Sequence, residues 1–219
     1  TWHEHNGDLL IQEMNVAGVT QALVKTYEAE DLAIALRRFG MDPEEFQTGE
    51  EYMLPWIRKY PDRFLWAGVF NPTRTDRMAE WKNRIEGEEL KAVVFRPPFF
   101  PRNPINDRTH HQILEWCRAN RKPVMMTFEG IVPPETPNQA EYLGWFQEVV
   151  ESFPEVRFCL MHMGFDELGQ LARVPMFRVV NQLNERHGNV WFETAMHVDH
   201  TYPYLGYLEK LETLYEAVG

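Results

Sequence analysis

The chain has 219 residues, with 33 acidic against 22 basic side chains and a formal net charge of −11. That length fits one α/β domain, and 44% hydrophobic with 13% aromatic residues is ample for a buried core, which excludes disorder as the main state. The acidic balance argues against nucleic acid as a partner, and no apolar run approaches the roughly 20 residues that cross a bilayer.

An apolar helical stripe of Leu9, Leu10, Met14 and Val16 leads to Ala17-Gly18, and Gln21 to Lys25 reads as a buried strand. A polar helix around 29–38, a loop with Pro43 and a helix over 50–59 precede the strand Phe64 to Val69. The alternation continues with a helix over 74–86, the strand Leu90 to Phe95, a Pro-rich loop at 97–104, a helix over 107–119 and the strand Pro123 to Phe128. A second Pro-rich loop at 131–137 and a helix over 139–152 lead into the strand Val156 to His162. A helix over 176–187, the strand Asn189 to Thr194 and a helix over 204–217 follow.

Six strands separated by helices imply βαβ crossovers and a parallel sheet. Runs such as VVF, VMM and FCLM carry no alternation, as expected when both sheet faces are covered. A doubly wound nucleotide fold needs a glycine-rich turn after its first strand, and the sequence has neither GxGxxG nor GxxxxGK[ST]. A (β/α)8 TIM barrel remains, in which functional residues gather at the C-terminal ends of strands. Those ends carry Lys25-Thr26-Tyr27, Phe70-Asn71-Pro72, Arg96-Pro97, Thr127-Phe128-Glu129, His162-Met163-Gly164 and Thr194 to His197. They are polar or ionisable where the preceding residues are apolar.

Four segments resemble the amidohydrolase-related barrels, the branch that includes metal-dependent decarboxylases of aromatic acids and lactone hydrolases. Leu10 to Val19 is similar to its "LLxEMDxAGV" passage, and Lys59 to Phe64 to its "KYPDRF" lead into the third strand. Leu90 to Phe95 fits its fourth strand, and Ser152 to Gly164 its sixth, with His162 at the histidine position. The resemblance implies one barrel domain over residues 1–219, with the family's first and last strands expected to be missing from this chain.

The resemblance also implies a divalent metal, Zn or Mn, held by a His-x-His pair, further histidines and an Asp. His162 matches as metal contact or proton-transfer group, whereas Thr127 stands where the strand-five histidine is usual, which puts the metal in doubt. His3 and His5 form a His-x-His, but with two residues before them they read as the tail of a loop, and only secondarily as ligands. Glu129 is a candidate acid/base, Arg96 a candidate for bidentate carboxylate recognition, and Thr127 a further substrate-binding candidate. His197 and His200 read as solvated, and His110, His111 and His187 as structural. Cys117 and Cys159 have no CxxC spacing; they read as small buried apolar residues and point to a reducing, cytoplasmic compartment.

The expected function is therefore an amidohydrolase-like enzyme, a hydrolase or carboxy-lyase, acting on a small carboxylate-bearing substrate. It would hydrolyse a lactone, ester or amide, or remove CO₂ non-oxidatively. The alternative is a catalytically degenerate barrel serving as a small-ligand binder or assembly subunit. Expected partners are a small-molecule substrate and a second copy in a homo-oligomer, with no nucleic acid and no membrane.

Overall fold

A computed structural model describes residues 7–28, 49–97, 100, 102–127, 139–161 and 174–193. Six strands pair in chain order, all parallel: β1 (Ala22–Thr26), β2 (Phe64–Val69), β3 (Leu90–Phe95), β4 (Val124–Met126), β5 (Phe158–Leu160) and β6 (Val190–Phe192). The helices are α1 (Gly7–Val16), α2 (Glu50–Lys59), α3 (Met78–Glu86), α4 (Arg108–Ala119), α5 (Gln139–Ser152) and α6 (Val174–His187). Sequential order without a strand swap is the arrangement of a (β/α) barrel sheet, not of a doubly wound one.

Because side chains alternate across a strand, the middle strands feed two cores. Phe64, Trp66, Val93, Phe95, Val124, Met126, Phe158, Leu160 and Val190 join the main cluster with residues of the surrounding helices such as Trp81, Ile113 and Phe146. Ala67, Val69, Ala92, Val94, Met125 and Met161 form a second, smaller cluster on the opposite face. That second face is the inner face of the barrel. Its residues are buried in the middle strands, while Leu23 on β1 and Trp191 on β6 are 43% and 46% exposed at the two edges.

Local chemistry fixes the element ends. The Asp107 side chain caps α4 by accepting the His110 backbone N–H at 2.8 Å, one of the orphan donors of a first helical turn. His110 is buried against Phe70 and Phe95, so its role is structural, as expected. At the end of α6, Gly188 takes φ 64° and donates its N–H to the Asn184 carbonyl at 2.7 Å, a left-handed cap just past His187.

Several expectations need correction. The segment 74–86 divides into a 3₁₀ turn, Thr75–Arg77, and α3, because the N–H groups of Arg74 and Arg77 bond three residues back. The fourth strand starts at Val124 because Pro123 has no N–H to give the ladder, though its carbonyl accepts from Val93. Val156 belongs to a turn, its N–H bonded to the Phe153 carbonyl, so the fifth strand begins at Phe158. In α1 only Met14 of the four stripe residues is buried; Leu10 and Val16 face outward, at 42% and 92% exposure. Successive helical residues turn through ~100°, so position 16 falls opposite the face that carries 7, 11 and 14, whereas position 10, ~60° from 7, sits at the margin of that face. The helices expected over 29–38 and 204–217 lie outside the described residues.

Candidate active site

The C-terminal ends of the strands bring together residues from across the sequence. Register pairs Phe95 with Met126, so Arg96 and Thr127 follow level with each other on adjacent strands. Alternation from Val94 and Met125 turns both toward the inner face. Thr127 is fully buried, and its N–H donates to the Phe95 carbonyl at 3.1 Å. Arg96 is half-buried, donates to the Tyr27 hydroxyl, and sets its Cζ 5.5 Å from the centre of that ring. Lys25 approaches the same ring, its Nζ 5.8 Å from the centre. Asn71, buried at the end of β2, accepts from the Thr73 N–H at 2.9 Å and the Thr73 hydroxyl at 2.7 Å, which closes the turn leaving the strand.

At the far edge Glu193 follows β6 with the alternation of Trp191, and its N–H bonds the Leu160 carbonyl at 2.8 Å. Burial first, then the Glu193 charge, pushes the Cys159 thiol up to about 11, and burial pushes Cys117 up to about 12. Neither sulfur is a thiolate near neutral pH; Cys117 is buried as read from sequence, whereas Cys159 is only half-buried.

Arg96 and Thr127 are thus brought together at the inner face. His162, Glu129, His3 and His5 lie outside the described residues; Met161, directly before His162, is buried on the inner face. Glu193 was not singled out from sequence, and Tyr27 entered only as part of a strand end, with no role. Tyr27 sits 69 residues from Arg96, so no local pattern could reveal their contact, whereas counting alternate residues along the last strand reaches Glu193.

Behind β1, on the outer face, a charged network holds the strand end. Glu28 is buried and paired with Arg77; Arg77 and Arg84 both bind Glu80, and Arg84 reaches Glu50 at 2.9 Å. Burial raises the Glu50 carboxyl above its ordinary value despite the pull of Arg84. Trp66 donates to the Thr26 hydroxyl at 2.7 Å in the same region. These bonds fix the strand that presents Lys25 and Tyr27.

A divalent ion needs several imidazole, thiolate or carboxylate donors within one coordination sphere. Among the described residues no three such side chains form a group that could hold one. The described mouth offers two cations, a phenol, an amide and an alcohol, with Glu193 at the edge, and this donor set does not fit a divalent cation.

The amidohydrolase family model matches residues 3–219. No curated protein matches the chain. Among solved structures it is similar to an amidohydrolase from Burkholderia multivorans with bound zinc, at TM-score 0.59 and 15% identity over 98% of this chain and 68% of the other. An uncharacterised TIM-barrel protein from Bordetella bronchiseptica gives TM-score 0.56 and 17% identity over 94% of this chain, which spans 64% of that protein's length. The 5-carboxyvanillate decarboxylase of Sphingomonas paucimobilis gives 0.55 and 15%, over 95% of this chain and 68% of the other. At these identities the likenesses establish the fold. The in-order parallel sheet and the match across nearly the whole sequence agree: the chain belongs to the amidohydrolase family and has its (β/α)-barrel fold.

Proposed function

We propose that the chain carries the active site of an enzyme acting on a small carboxylate-bearing substrate, by hydrolysis of a lactone, ester or amide or by non-oxidative decarboxylation. The supporting observation is Arg96, a guanidinium at the strand ends of the inner face, oriented by its bond to Tyr27. A planar fork fixed in this way suits a carboxylate and gives orientation as well as charge. Lys25 adds a second positive charge near the same Tyr27 ring. The buried Thr127 hydroxyl, level with Arg96, is assigned a hydrogen bond to the substrate. His162 and Glu129 are assigned the proton transfers, and His162 is the first candidate ligand should Zn or Mn bind. The decarboxylase neighbour acts on a carboxylated aromatic, which favours the same substrate class.

The test is turnover of a panel of lactones and hydroxybenzoates by the wild type and by Arg96→Met, with metal content measured alongside. Turnover of carboxylate-bearing members that is lost in Arg96→Met supports the proposal. Equal activity of both proteins would overturn it. One feature favours a second reading, a barrel that binds a small ligand without turning it over: an alcohol stands at Thr127, where the resemblance read from the sequence implies imidazole. Saturable binding of a panel member with no product from any member would select that reading.

A further inference from the structure

At the opposite end of the sheet from Arg96, four cations surround one depression of about 560 Å³: Arg118 in the last turn of α4, Arg121 and Lys122 before β4, and Arg157 before β5, with Glu155 the single carboxylate. Such a concentration is unexpected in a chain whose acids outnumber its bases by 33 to 22. Elsewhere the described surface cations mostly meet carboxylates, as in Arg58–Glu89, Lys59–Asp8, Arg74–Asp76 and Arg186–Glu151. Here Arg118 pairs with Glu115, but among the described residues Arg121, Lys122 and Arg157 have no carboxylate within 4.0 Å.

Two of these three are nonetheless held in place. Arg157 Nη2 donates to the Arg121 carbonyl at 3.1 Å, and Lys122 Nζ donates to the Gly87 carbonyl at 2.9 Å. Each bond leaves further N–H donors of the same group available. Burial lowers the Lys122 ammonium below its ordinary value, the neighbouring Lys91 adds to this, and Glu88 opposes it. Arg121 has φ 54°, a left-handed conformation that favours glycine, yet the position carries an arginine. The macrodipole of α4 accounts for a cation in its last turn, but not for Arg157, which arrives from a different loop.

We propose that this depression is a binding site for a small phosphate-class polyanion, with Arg121 and Arg157 each gripping a phosphoryl group and Lys122 adding a third positive charge to the lining. Guanidinium forks match phosphate oxygens in pairs, and two forks with an ammonium favour a ligand bearing at least two phosphoryl groups. The site is separate from the proposed active site, since Lys122 and Thr127 lie beyond opposite ends of β4. Glu155 works against the ligand and sets a limit on its affinity.

Calorimetric titration with inorganic pyrophosphate, at low ionic strength and again with added salt, tests this. The expected result is one pyrophosphate per chain, with affinity falling as salt rises. Arg121→Gly combined with Arg157→Ala weakens binding about tenfold or more, Glu155→Gln tightens it, and Arg96→Met leaves it unchanged. Arg121→Gly alone raises Tm while weakening pyrophosphate, a combination that a merely structural arginine would not give. Absence of binding, binding indifferent to the Arg121 and Arg157 substitutions, or binding abolished by Arg96→Met would each overturn the site. Citrate binding as tightly as pyrophosphate would overturn the phosphate assignment.

Discussion

The guanidinium of Arg96 and the phenol of Tyr27 join β3 to β1 across the end of β2 through a hydrogen bond to the hydroxyl. The hydrogen bond contributes about 1 kcal/mol net. The larger consequence is orientation: the phenol constrains where the guanidinium can point. On any carboxylate substrate that turns over, Arg96→Lys should lower kcat/KM by about 10- to 100-fold, because an ammonium keeps the charge but loses the fork. Tyr27→Phe should lower it about 3- to 10-fold, the worth of one neutral hydrogen bond. Steady-state kinetics on both variants checks this; a Tyr27→Phe loss larger than that of Arg96→Lys would contradict the assigned roles.

Glu50 gives a pH prediction. Its carboxyl is raised by burial, so the folded state holds its proton more tightly than the unfolded state. The stability this contributes is present below the unfolded value near 4.5 and is lost as pH rises through the higher folded value. Glu50→Gln removes the titration but keeps an oxygen that can accept from Arg84. The Tm of Glu50→Gln relative to wild type should therefore rise between pH 4 and pH 7. A relative Tm that falls over that range would show that Arg84 dominates over burial.

Asp107 has the opposite sign. Burial pushes its carboxyl up, but hydrogen bonds from the His110 ring and backbone N–H outweigh burial and leave it below the ordinary range. Its contribution is present above the unfolded value near 3.8 and is lost as pH falls through the lower folded value. Asp107→Ala should cost about 1–2 kcal/mol at neutral pH, measured by urea unfolding, and Asp107→Asn less, since an amide also caps a helix. Equal losses would mean that the charge matters more than the cap.

The strands were legible because their apolar runs are unbroken and because Pro, Gly and Asp mark their borders. Thus Phe64–Val69 and Leu90–Phe95 fold over the residues expected, and α5 spans 139–152 as read. The edges were less legible: Leu10 and Val16 look like core residues in a list of hydrophobics, but burial depends on the helix face that meets the sheet. For the site, strand ends could be read one at a time, which found Arg96 and Thr127. Their partners could not, since Tyr27 with Arg96 and Glu28 with Arg77 are contacts made only by folding. His162 and Glu129 rest on sequence alone.

Gly68 tests the packing of the outer face. A Cβ there would lie 3.1 Å from Cη2 of the fully buried Trp81 and 3.2 Å from Cδ1 of Leu90. Leu90 can shift its terminal methyl, but the Trp81 ring is wedged against Phe70, their centres 5.3 Å apart. Gly68→Ala should therefore destabilise by about 1–3 kcal/mol in chemical denaturation. No loss would show that the Trp81 ring moves more freely than its burial implies.

Thr127 decides how the metal question is answered by experiment. It is fully buried and level with Arg96, so a side chain at this position faces the same inner space as the proposed substrate site. An alcohol oxygen is a poor ligand for Zn or Mn and is rarely deprotonated, whereas a neutral imidazole is among the best. If His162 and residues outside the described set supply the other donors, Thr127→His adds the missing nitrogen and should raise Zn or Mn content. Thr127→Ala should leave that content nearly unchanged, because little coordination is removed. The measurement is metal content of the wild type and both variants after identical dialysis, with Tm recorded to confirm that each is folded. An ion held tightly by the wild type and lost in Thr127→Ala would make Thr127 a ligand, or the support of one, and would overturn the view that its alcohol replaces a donor the site has given up.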